Sequence, residues 1–269
     1  MSPKPRKVLY FTRHTVYTIG ALSAPLKPLE GPSFSDEVMM EIGRRSGFEV
    51  ECSRNGEVLD GDLSQYGAFV FFTSGSWKML MAPESTQGSP PVSPRGRERL
   101  YEALDAGAGF VALRNTVSCS EEIIGCSYNG HPPIQEGRMI VTSPHFPGLQ
   151  GAGDSFSLRD QWYTHKQYSK DIHAILLQDT EWAKQVQVPP ERRENQWLME
   201  RPPFPSTWAR HRGESRVFYT TLGNYNETWS HPIFQGILQG AVCWALGMVD
   251  FDATPNIQEV APLADQTHW

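Results

Sequence analysis

Short apolar runs, each ended by polar or turn residues, set the rhythm of the first half of the chain. Residues 8–12 (VLYFT), 48–53, 68–73 (AFVFFT) and 110–113 have the length and composition of strands, the longest apolar runs being those of strands buried on both faces. Between the first two the period changes. Val38, Met39 and Ile42 form one stripe, Ser35 is placed as the N-cap, Asp36 and Glu37 fall in the first turn, and Gly47 is a stop. A second helix is predicted from Ser93-Pro94 to about Ala106, with Leu100 and Leu104 inward. Strand, helix, strand, loop, strand, helix, strand is the order of a doubly wound parallel sheet.

The second half is less regular. Residues 139–142 and 173–177 read as strands, and 207–210 with 216–220 as an antiparallel pair joined at Gly213. Gly223-Asn224-Tyr225 reads as a turn. Pro232 opens a last helix, whose buried stripe is Ile233, Ile237, Ala241, Val242 and Ala245. Two stretches have no period of their own: a proline-rich loop over 24–32 and a polar segment over 183–205. Residues 251–269 are expected as an extended tail on the surface. With no internal repeat and no linker, one domain over 1–269 is expected, its core spanning about 7–250.

Composition narrows the partners. The formal net charge is -6, and no Lys/Arg cluster is dense enough for a nucleic-acid or anionic-membrane surface. No apolar run approaches the roughly 20 residues of a membrane span. The N-terminal apolar run is too short for a signal peptide, so a cytoplasmic location is expected. Cys52, Cys119, Cys126 and Cys243 fit neither a disulfide framework nor a zinc knuckle. The eight histidines show no ligand spacing, so neither metal nor cofactor is expected. The expected partner is a small molecule, and a homo-oligomer stays open.

The pivot of the chain is the run of residues 107–119, GAGFVALRNTVSC. Its strand stops abruptly at Arg114-Asn115, and in parallel α/β sheets ligands bind beyond the carboxyl ends of the strands. A guanidinium offers five donors and cannot act as a base near neutral pH, so Arg114 suits ligand binding or a structural ion pair with Asp160 or another acid. His14 and Trp77 follow two other strands. Asp160, Gln161, Trp162, Tyr163 and His165 form the densest polar-aromatic cluster. It reads either as acid/base groups with a stacking platform for a sugar or as a loop held by a buried tryptophan. Tyr225 and Trp229 carry the same two readings, and His131 either transfers protons or fixes the turn before Pro132.

VLYFTRH, AGAGFVALRN, Asn129-Gly-His131, RDQWY, WARHRGESRVFYTTLGN and PIFQGILQGAVCWALG together resemble the trehalose-utilisation (ThuA-like) family, over about residues 7–257. The resemblance implies a flavodoxin-like, class I glutamine amidotransferase-like sheet, mainly parallel, with extra antiparallel strands after about residue 138. It also implies action on a disaccharide or keto-sugar derivative. Amidotransferase chemistry is not expected: the turn that carries the cysteine nucleophile in those enzymes reads Leu113-Arg114-Asn115, and the family's late Gly-His is Gly223-Asn224. In a catalytic reading Asp160 or His165 is the base and His131 the acid. His14, Trp77, Arg114, Asn115, Gln161, Trp162, Tyr163, Asn224 and Trp229 then bind substrate. The alternative is a non-catalytic small-molecule binding module. A hydrolase using Cys119 or Cys126 fits least, because neither follows a glycine-rich nucleophile turn.

Overall fold

Each apolar run of the first half becomes a strand. The computed structural model describes residues 4–15, 31–85, 88–185 and 195–266; most of the 24–32 loop and the middle of the polar 183–205 segment, 186–194, lie outside them. The chain runs β1 (Lys7–Phe11), α1 (Phe34–Ser46), β2 (Glu49–Ser53), β3 (Ala68–Phe71), a short α2 (Trp77–Leu80), α3 (Pro94–Asp105) and β4 (Gly109–Leu113). There follow α4 (Val117–Ile124), β5 (Ser127–Gly130), β6 (Gln135–Val141), β7 (Ser155–Asp160), β8 (Thr164–Lys166), β9 (His173–Gln178) and a short α5 (Thr180–Ala183). The last part is β10 (Phe204–Arg212), β11 (Ser215–Thr220), α6 (Asn226–Ser230), α7 (Pro232–Ala245) and α8 (Ile257–Val260).

Nine strands form one sheet in the order β2-β1-β3-β4-β11-β10-β9-β6-β7. The first five are mutually parallel, and the remaining neighbours pair antiparallel. β5 and β8 form a separate antiparallel pair. The sheet has an apolar core on each face. α1, α6 and α7 cover one, which contains Tyr10, Val70, Phe218, Trp229 and Trp244; α3 and α4 cover the other, with Leu9, Phe69, Phe110, Trp208 and Tyr219. Successive residues of β1 alternate between the two cores, as the strand period of two demands.

Two expectations change. The N-cap of α1 is Ser33, not Ser35: its hydroxyl accepts from Asp36 N at 3.2 Å while the Asp36 carboxylate accepts from Ser33 N at 2.7 Å. Only the serine three positions before an acid can make this reciprocal box. The tail is not merely extended on the surface. Ala253, Ile257, Ala261 and Ala264 are buried, and Tyr168 N donates to Asp265 Oδ1 at 3.1 Å. Small apolar residues at helical spacing give this tail a face to bury.

Candidate functional site

The site begins where β4 stops. Residues 109–113 are fully buried, and Arg114 then takes a left-handed backbone, φ 50°, before a 3-10 turn over Arg114–Thr116 leads into α4. A side chain in that region costs about 1–2 kcal/mol, so neighbours must hold it. Thr116 Oγ1 donates to Phe71 O at 2.9 Å and accepts from Thr73 N at 3.1 Å; Tyr219 Oη donates to Arg114 O at 3.0 Å. A strained strand-to-helix turn that projects one side chain is the geometry of a nucleophile elbow. Here the projecting group is a guanidinium.

That guanidinium is fully buried. Its Nη1 donates to Asp160 Oδ1 at 3.2 Å, to Gln161 O and to Thr221 O, and its Nη2 donates to Gln161 Oε1 at 2.9 Å. Its face lies 4.6 Å from the centroid of the Tyr163 ring. Asp160 is the hub. Besides Arg114 it accepts from Gln161 N at 2.7 Å, Gly223 N at 2.9 Å, Asn224 N at 3.3 Å and Thr228 Oγ1 at 3.0 Å. A carboxylate has about four lone-pair sites, and these donors fill them. Gly223, at φ 111°, makes the tight turn that aims two successive amides at one carboxylate.

Above this hub lies an aromatic wall. The Tyr163 hydroxyl donates to Asn115 Oδ1, and the His131 ring stacks on Tyr163 at 5.2 Å and 12°. Tyr128 meets Tyr163 at 5.1 Å. His131 Nδ1 lies 3.0 Å from Pro132 O, which in the neutral ring puts the proton on Nδ1 and the lone pair on Nε2. Gln161, His131, Tyr128 and Tyr225 are partly exposed and form the open rim; Asn115 and Asn224 are 6% and 8% exposed.

The other candidates have different surroundings. His165 is buried beneath the elbow. Because Tyr219 Oη donates to Arg114 O, the His165 Nε2 atom 3.0 Å away donates to Tyr219. Burial, and then the charge of Arg201, pull its pKa down to about 3. Burial and then Arg54 do the same to His14, which packs edge-on against Phe72. Trp77 turns away from Arg114 towards Tyr101 and the Arg97 guanidinium. Trp162 lies over Gly137, where a Cβ would come within 2.2 Å of its ring, and donates to Gln135 O at 2.9 Å. Trp229 braces the turn behind the site by donating to Gly223 O at 2.9 Å.

The structure thus gathers Arg114, Asn115, His131, Asp160, Gln161, Tyr163 and Asn224. It sets His165 and Trp229 behind them as supports, and leaves His14, Trp77 and Trp162 outside this hydrogen-bonded cluster. Tyr128, Tyr219 and Thr228 were not legible as site residues. Tyr128 and His131 flank the end of one short strand, the only signal available for Tyr128. Cys119 is buried against Thr73 and Thr116, and burial pushes its thiol pKa up to about 12. Among the described residues no cluster of three or more His, Cys, Asp or Glu is placed to hold a metal ion, and no helix is long and apolar enough to cross a membrane. A cavity of about 750 Å³ lined by Lys4, Tyr66, Arg99 and Glu214 lies at the amino ends of the parallel strands, the wrong end for the crevice rule.

A doubly wound α/β sheet with a strained elbow at the carboxyl end of its fourth strand defines the class. The model of the ThuA family, trehalose utilisation, matches residues 32–245, and the chain belongs to that family. Among solved structures it is similar to a ThuA-like protein of Parabacteroides merdae (TM-score 0.63, 15% identity, 93% of this chain and 92% of that one). A ThuA-like protein of Bacteroides uniformis gives 0.60 at 14%, covering 91% and 93%. A β-galactosidase of Bacillus circulans gives 0.52 at 11%, covering 92% of this chain and 32% of the enzyme. No curated protein matches.

Proposed function

We propose that this flavodoxin-like, class I glutamine amidotransferase-like chain recognises a neutral sugar, a disaccharide or its keto derivative, at the rim above Arg114 and Asp160. Family membership supplies the class of function. The observation that carries the reading is the saturated Arg114–Asp160 unit: its two opposite charges are paired, so it offers rigid dipoles rather than a net charge. Around it Asn115, Gln161 and Asn224 supply amides, and Tyr163, Tyr128 and His131 supply ring faces. Amides and ring faces are what hydroxyls and pyranose C–H faces need.

The unit argues against acid/base chemistry by Asp160 or His165. Asp160 has no lone pair left for a substrate proton, and His165 is a donor held by Tyr219. Glutamine amidotransfer lacks its nucleophile, since Arg114 stands at the elbow and the Cys119 thiol is buried and protonated. A catalytic version rests on His131, the partly exposed imidazole at the rim.

The test is a thermal-shift panel of trehalose, other disaccharides, their 3-keto forms and the corresponding sugar phosphates. Binding to the native state raises Tm by mass action. The reading expects shifts with uncharged sugars; shifts confined to the phosphates contradict it.

A further inference from the structure

Ser143 and His173 meet three strands across the sheet from the strand that carries Arg114: β9 pairs with β10 so that His173 lies beside Ala209, which lies beside Phe218 in the middle of β11. Ser143 Oγ lies 2.7 Å from His173 Nε2, and His173 Nδ1 lies 2.5 Å from the carbonyl of Thr254. A carbonyl only accepts, so Nδ1 carries the proton and Nε2 presents its lone pair to the serine. The competing acceptor for the serine proton is Ala174 O, 3.1 Å away. That oxygen already accepts from Thr142 Oγ1 at 2.8 Å and from Asn256 Nδ2 at 3.1 Å, which uses both its lone pairs. The hydroxyl proton is therefore directed at His173.

We infer that Ser143 and His173 form a nucleophile–base pair, oriented by the Thr254 carbonyl, that transfers acyl groups from carboxylic esters to water. A nucleophile within hydrogen-bond reach of a base that a third group orients is the arrangement such chemistry requires. Thr254 O does for the imidazole what a carboxylate does in a Ser-His-Asp triad: it fixes the tautomer and the ring. Ser143 Oγ attacks the ester carbonyl as its proton passes to Nε2. The ester C–O bond breaks, and His173 returns that proton to the departing alkoxide. Water, deprotonated by the same nitrogen, then releases the carboxylic acid and restores the serine. Access is from the surface: His173 is partly exposed, Ser143 is 8% exposed, and Pro144, His145 and Thr254 beside them are exposed.

The probe is an alkyl fluorophosphonate, in which serine displaces fluoride to leave a stable adduct that peptide mass mapping locates. The native protein is expected to carry the adduct on Ser143. Ser143→Ala removes it, and His173→Gln slows it about a hundredfold, the usual size of a general-base contribution. Circular dichroism confirms that each variant is folded. A folded native protein with no adduct on Ser143, or a labelling rate unmoved by His173→Gln in a folded variant, overturns the assignment. Neither result bears on the sugar reading, which rests on other residues.

Discussion

The two halves of the sheet divide the work differently. In the parallel half, β1 from Val8 onward and all of β3 and β4 are apolar and buried, and β4 ends at the elbow. In the antiparallel half, β7 alternates exposed and buried positions and ends in Asp160, with Gln161, Tyr163 and His165 following. One half supplies rigidity, the strained backbone position and the turns that carry Asn115, Asn224 and Thr228; the other supplies Asp160, Gln161 and Tyr163. They are joined by Arg114 and Asp160, 46 residues apart in sequence, so the site exists only when both halves are docked.

The sharpest way to break that junction is Asp160→Ala. It leaves the buried Arg114 without its carboxylate and strips Gly223 N, Asn224 N and Thr228 Oγ1 of their acceptor. A loss of about 3–5 kcal/mol in urea unfolding is expected, as for other buried pairs cut on one side. A loss under about 1 kcal/mol would mean the halves dock by other means.

Acid should loosen both halves next. His14 and His165 have folded-state pKa values near 3, far below the usual 6.5, because burial disfavours their charged forms. The unfolded chain therefore binds protons that the folded one refuses. Stability is complete above about pH 6.5 and falls as pH drops towards 3, by roughly 1.4 kcal/mol per pH unit for each histidine. Replacing His165 by Gln should flatten the slope by one such increment in pH-dependent unfolding; an unchanged slope would remove it from the account.

Arg114→Ala should cost less than Asp160→Ala, about 1–3 kcal/mol. Asp160 keeps its backbone and Thr228 donors, and the left-handed residue loses a bulky side chain but not its Cβ. Arg114→Gly, which also relieves the positive φ, should be the milder of the two by about 1 kcal/mol. The reverse order would show that the elbow is not strained. The smallest effect belongs far from the junction: Ser33→Ala removes the α1 capping box for about 1 kcal/mol and leaves sugar-induced thermal shifts unchanged.

The same contrast explains what could be read from sequence. The runs VLYFT, AFVFFT and GFVAL announce strands because burial on both faces leaves no polar position to confuse the pattern. Arg114 was identifiable because it ends such a run. Its partner was legible only as a ligand, Asp160 or another acid. Short strands such as β5 and β8 are polar or aromatic at nearly every position and carry no period. Asp160 and His165 looked like free acid/base groups because sequence shows residue type and not burial. Once Asp160 is filled by amides from the β11 turn and His165 is donated to Tyr219, both are supports. Ser33 over Ser35, and the buried face of α8, turned on spacings of three and four residues that were present but outweighed by stronger neighbours.

The most direct test of a sugar site at the junction is calorimetric titration of trehalose and its 3-keto form into the native protein and into Gln161→Ala. Gln161 is partly exposed, accepts from Arg114 and faces the rim, so its loss alters the site more than the fold. The account predicts binding of at least one of the two by the native protein and an affinity about tenfold lower in the variant, the upper range for the loss of one neutral hydrogen bond. Equal affinity in both proteins, or no binding of either sugar to the native one, would contradict it.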